Sequence, residues 1–212
     1  MKKSLFLLLT LFSVCTQAQN TWEMPKEPDP KAALDEKYAA GAIPMKDGLV
    51  CFSKTIKAQG KTLKQTYDII HGYLQEMIAE PNQLQREVGY TGETEPISRI
   101  AYEDINSGVI AANIDEWLVF KRNAITLDRT EMKYVIIANC KDGSVEINIT
   151  RIHYNYEKDR PGGFEESAEN VITDDWGLNK SKTKLAPTYG KFRRKTIDRI
   201  NYLFNTIEEK LK

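Results

Sequence analysis

The chain has 212 residues, with 30 Lys plus Arg against 30 Asp plus Glu; 41% of it is hydrophobic and 28% charged. This is enough chain and apolar content for a full globular core, and it excludes a collagen-like, low-complexity or wholly disordered protein. A formal net charge of zero excludes a whole-molecule electrostatic grip on nucleic acid or anionic lipid.

Lys2 and Lys3 precede the apolar run Leu5 to Phe12, and Thr16 and Ala18 stand where a signal peptidase reads before Gln19. Residues 1–18 are therefore read as a cleaved secretory signal, and the run is too short to span a bilayer. Cys15 raises the alternative of a lipoprotein anchor, but the β-branched Val14 stands where a small residue is required. The expected location is the periplasm or the cell exterior. Removing Lys2 and Lys3 leaves 28 basic against 30 acidic residues, a net charge of −2.

Residues 19–48 carry Pro25, Pro28, Pro30 and Pro44 and read as an N-terminal arm, with a short helix expected over 32–40. Residues 49–212 read as one domain. It opens with a strand in which Val50, Phe52 and Ile56 share a face, with a break expected near Lys54. Thr62 and Gln65 form a capping box before a helix over 62–79, whose stripe is Leu63, Tyr67, Ile70, Leu74, Met77 and Ile78. Residues 82–95 read as loop. Strands then follow at Ile97 to Ile105, Val109 to Ile114, Trp117 to Arg122 and Met132 to Cys140, punctuated by Asn106-Ser107-Gly108 and by a break at Asp115-Glu116. After the hairpin turn Lys141-Asp142-Gly143, Val145, Ile147 and Ile149 share a face, but Ile152, Tyr154 and Tyr156 follow on the opposite parity. That switch near Arg151 predicts a β-bulge. Residues 157–190 are loop-rich with a short helix expected over 165–173, and a last helix over 192–211 has the stripe Ile197, Ile200, Leu203, Phe204, Ile207 and Leu211. The order strand, helix, meander of about five strands, helix gives an α+β domain: a curved antiparallel sheet with both long helices on one face.

Several stretches carry a family resemblance: the signal ending Gln17-Ala18-Gln19, the strand from Val50 to Lys54, Tyr67 to Ile70, Ile105 to Ile110, the Lys141-Asp142-Gly143 hairpin and Lys191 to Asp198. In these the chain resembles exported Bacteroidetes proteins grouped as a domain of unknown function with a TATA-binding-protein-like fold. The resemblance implies that fold and an extracytoplasmic location, and it brings no activity and no functional residues.

No catalytic signature is found. His71 and His153 lack metal-spaced partners, no G-x-S-x-G elbow or phosphate loop occurs, and no metal or cofactor is expected. Of the acidic pairs, Glu103-Asp104 point to opposite faces of a strand, while Asp115-Glu116, Glu165-Glu166 and Asp174-Asp175 are placed in turns or loops. Cys51 and Cys140, the two cysteines of the exported chain, are the one candidate disulfide. Their bonding requires neighbouring strands, and the last strand is expected to lie between them. Charge segregates near the C-terminus: residues 157–175 hold seven acids and two bases, whereas 177–199 hold eight bases and one acid. Arg193, Arg194 and Lys195 are thus candidate binding residues, expected to form a weak, solvated cationic surface.

Three functions fit. The first is a non-catalytic extracytoplasmic interaction or accessory module, with another envelope protein or an acidic glycan as partner and no nucleic acid. The second is a binding protein for an acidic ligand (glycan or lipid headgroup) using the open sheet face or the cationic stretch. The third is an enzyme of unrecognised type.

Overall fold

The computed structural model describes residues 21–23, 33–90 and 92–212. The signal expected at 1–18, with Cys15, lies outside them. The strands are β1 (Met45–Lys46), β2 (Leu49–Lys57), β3 (Gln85–Val88), β4 (Glu93–Pro96), β5 (Arg99–Asp104), β6 (Val109–Arg122), β7 (Leu127–Lys141), β8 (Ser144–Tyr156) and β9 (Phe164–Ser167). The helices are α1 (Leu63–Ile78) and α2 (Gly190–Lys210). The main sheet is antiparallel in the order β1-β2-β8-β7-β6-β5, with β9 also on β8, and β3 and β4 form a separate hairpin.

Strict alternation sets the two faces. Ile110, Ala112, Ile114 and Leu118 of β6, Met132, Tyr134, Ile136 and Ala138 of β7, and Val145, Ile147 and Ile149 of β8 are buried and join one core with both helices. Helix α1 packs on β5 to β8 and α2 on β2 and β6, so the helices share a face as expected. The Thr62–Gln65 capping box closes the start of α1 in both directions. Gly108, at φ +73°, lets the β5–β6 turn close: a Cβ there would lie 2.3 Å from the Cys140 carbonyl oxygen.

The parity switch is a bulge. Lys133 opposes His153 while Val135 opposes Thr150, so β8 carries one residue more than β7 across this step, and Arg151 takes φ +54°. At the same point the free edge of β8 changes partner, from β2 (Cys51 with Thr150) to β9 (Ser167 with His153).

Four local expectations are corrected. Residues 82–95 are not plain loop, because β3 and β4 pair within them and just beyond. Strand β2 runs unbroken through Lys54, whose ammonium on the core side is met by Glu208 of α2 at 2.8 Å. The short helices expected over 32–40 and 165–173 shrink to single 3-10 turns, Glu36–Tyr38 and Ala168–Asn170, the latter preceded by β9. Asp115-Glu116 does not break the meander, since β6 passes straight through it. Glu116 can occupy a core-facing position because its charge is met there. Arg199 of α2 donates Nε to Oε1 at 2.8 Å and Nη2 to Oε2 at 2.7 Å, and neither side chain has exposed surface. The Tyr134 hydroxyl donates to Oε1 at 2.8 Å, and the Asn82 and Gln83 amides donate to Oε2 at 2.9 and 3.1 Å.

Removing one partner of such a pair leaves an uncompensated buried charge. Arg199→Met is therefore expected to lower unfolding free energy by about 3–5 kcal/mol in urea titrations, and adding Glu116→Gln should recover part of the loss. Cys51 and Cys140 are both free; β8 separates their strands, and the two residues alternate to opposite faces of the sheet. A thiol reagent applied to the unfolded, unreduced protein is expected to label both positions.

Candidate functional site

The candidate cations near the C-terminus do not form a surface. Arg193, Arg194, Lys195 and Arg199 are at most 2% exposed, because Phe192 to Ile200 of α2 are buried on every side. Arg193 reaches into the arm and the loop beyond β9: it donates to the carbonyls of Tyr38 (2.8 Å), Ile172 (2.7 Å) and Ala39, and it pairs with Asp174 at 2.9 Å. Lys195 donates to the Glu23 carbonyl at 2.6 Å. Asp198 on the same helix receives Lys37 at 3.1 Å and the Tyr38 hydroxyl at 2.7 Å. The expected solvated face is thus an inward spine holding the arm, and a lipid headgroup or glycan cannot reach it. The signal was present in the sequence. Arg193 lies about 40° from Ile197 around the helix, at the core border, and an arm bearing Trp22 and Tyr38 needs a surface to cover.

His71 sits on the rim of α1, with Nε2 2.7 Å from Glu103 Oε2 and its ring stacked on Tyr67. His153 is exposed on β8, far from the spacing of a metal centre. Among the described residues no group of three or more His, Cys, Asp or Glu side chains is placed to hold a metal ion. Asp174 accepts from Gly41 N at Oδ2 and is ion-paired with Arg193 through Oδ1, and Asp175 pairs with Lys182 at 3.1 Å.

The sheet face turned away from both helices is different in kind. Register aligns its side chains in ranks across the strands. Tyr102, Ala111, Ile137, Asn148 and Ser53 form one rank, and Asn113, Val135, Thr150 and Cys51 form the next. Past the bulge come Asp115, Lys133, His153 and Ser167, then Trp117, Glu131, Asn155 and Glu165. Two depressions meet on these last ranks. One, of about 270 Å³, is lined by Arg99, Asn113, Asp115, Lys133, Val135 and Arg151 among others. The other, of about 460 Å³, is lined by Trp117, Leu127, Arg129, Glu131 and Asn155 together with the 157–160 turn.

Where they meet, Lys133 Nζ lies 2.9 Å from Glu131 and 3.7 Å from Asp115, one ammonium serving two carboxylates. Burial pushes the Asp115 carboxyl up to about 7; repulsion from Glu131 adds to the rise and Lys133 opposes it. The sequence reading placed Asp115 in a turn and so missed it. Its strand position puts it on the outer face, back to back with core-facing Glu116.

Because the shift is upward, the folded chain holds a proton that the unfolded chain has already lost. The stability contributed is complete below about 3.8 and is lost as pH rises through about 7. Asp115→Asn is therefore expected to raise the melting temperature relative to wild type at pH 8, and the advantage should shrink steadily as pH falls to 5. A pH-independent difference would contradict the shift.

Residues 52–155 match the family described as a domain of unknown function (DUF4468) with TBP-like fold. A crystal structure of a DUF4468 family protein from Bacteroides ovatus is 33% identical with a TM-score of 0.70, the match covering 82% of this chain and 93% of that one. A TBP-like protein from Parabacteroides distasonis, 19% identical with a TM-score of 0.60, shares the fold over 80% of this chain and 96% of its own. No curated protein matches. The helix-backed antiparallel sheet described above is thus the TATA-binding-protein-like fold, and the chain belongs to the DUF4468 family.

Proposed function

We propose that this chain is an extracytoplasmic binding module, without catalysis of its own, that engages its partner through the helix-free face of the sheet. The observation carrying the reading is the unequal use of the two faces. One face is spent on the core, both helices and the arm, while the other presents ordered ranks of polar side chains around two adjoining depressions. Half-buried Val135 and Ile137 and the exposed Tyr102 lie among those ranks, which is the mixed polar and apolar character of a recognition surface. The signal-like N-terminus supports export to the periplasm or cell exterior, with an envelope protein or an acidic glycan as partner. Nucleic acid is disfavoured, because carboxylates such as Asp115 and Glu131 stand among the cations of this face.

The test is capture from native envelope on the immobilised protein, compared with Ile137→Arg and Asn148→Arg. Both substitutions add bulk and charge to the outer face and leave the core untouched. Each variant is expected to keep the wild-type melting temperature and to lose the captured component, as assayed by quantitative mass spectrometry. Equal recovery by wild type and both variants would refute the use of this face.

A further inference from the structure

Arg129 is the unusual cation of the outer face. Its guanidinium carbon lies over the Trp117 ring, 3.6 Å from the centroid, a contact between diagonal neighbours on β7 and β6. It is half-buried, yet its side chain makes no hydrogen bond or ion pair with any described residue. Of the cations around it, Lys133 pairs with Glu131, Arg160 with Glu157 at 2.8 Å and Lys191 with Asp128 at 2.8 Å, and Lys158 of the 157–160 turn is exposed. A partly desolvated guanidinium without a directly bonded carboxylate is costly, and its contact with the ring uses none of its five donors. Arg129 lines the depression of about 460 Å³, a volume in the range of small-ligand sites.

The other lining residues restrict the ligand. With Arg129, Lys158 and Arg160 set against Glu131, Glu157 and Asp159, the depression carries no net positive charge to hold a phosphate dianion, whereas a single planar carboxylate is matched by the Arg129 fork alone. The Asn155 amide donates to Glu131 at 2.8 Å, so the Asn155 carbonyl and these same carboxylates present the remaining acceptor positions, suited to hydroxyls. Apart from side-chain stems, the apolar lining is Leu127 and Trp117, and Arg129 already lies over the Trp117 ring. A hydroxyl-rich frame therefore fits better than an apolar one.

We propose that Arg129, held over the Trp117 ring, is the carboxylate-binding residue of a site for an acidic sugar. The fork of the guanidinium meets the carboxylate in two parallel hydrogen bonds, and the ring hydroxyls bond to Glu131, Asn155 and Asp159. The proposal rests on the reading of the outer face as the binding surface and names the chemistry of one part of it.

Titration of the purified protein with glucuronate, glucose and glucose 6-phosphate, followed by amide shifts in NMR, tests it. Glucuronate is expected to shift residues around Trp117, Arg129 and Asn155, with an affinity at least about tenfold above that of glucose. Arg129→Gln should remove that preference, and Arg129→Lys, which keeps the charge without the fork, should also lose most of it. If Arg129→Gln does not fold, the lysine variant and the comparison of sugars carry the test. Equal binding of glucose and glucuronate, a preference for glucose 6-phosphate, or silence with all three overturns the site. Such a failure is distinct from failure of the face itself, which envelope capture by Ile137→Arg judges separately.

Discussion

The structure turns on one buried carboxylate. Glu116 stands at a core-facing position in the middle of β6, where an ionised side chain is tolerable only if charge and hydrogen bonds meet it there. Arg199 supplies both, and to do so α2 must cross the sheet over β6 with its cationic turns pointing inward. Arg199 in turn lies under the Trp22 ring, 4.9 Å from its centroid, so the arm becomes the cover of the ion pair. Sheet, last helix and arm are therefore fixed by a single neutralisation. A pair of this kind adds little net stability over apolar residues of the same shape; what it adds is one permitted arrangement.

The same dipeptide assigns the outer face. Alternation along β6 sends Glu116 to the core and Asp115 to the opposite side, where Lys133 and Glu131 await it. One strand thus carries two carboxylates in unlike surroundings: the first is paired with an arginine in the core, the second is pushed up to about 7 by burial. The outer face inherits from this a charge pattern that is alternating and close to balanced, suited to selective contact and poorly suited to indiscriminate attraction of polyanions.

What could be read from the sequence follows the range of the cause. The capping box of α1, the Lys141-Asp142-Gly143 turn and the bulge at Arg151 are written in adjacent residues, and the structure has all three. The continuity of β6 is not, because the group that permits it lies 83 residues away on α2. The buried role of Arg193 and Lys195 was hidden for the same reason: three consecutive cations look solvated until the distant arm carbonyls they hold are known. The outer depressions were beyond reach too. Trp117 was read on a strand, but Arg129 lies before the strand expected from Met132, and the two meet only through the β6–β7 register.

The spine of α2 also has a temporal meaning. Lys195 and Glu23 are 172 residues apart, and Arg193 and Tyr38 are 155 apart, so the first and last parts of the chain must meet before either is in place. Contacts of such separation close late and slowly. Until α2 is available, β6 has no reason to bury Glu116, and the sheet lacks the helix that packs on β2 and β6. A chain that stops short of α2 leaves Glu116 without its arginine and the inner sides of β2 and β6 without the helix that packs on them.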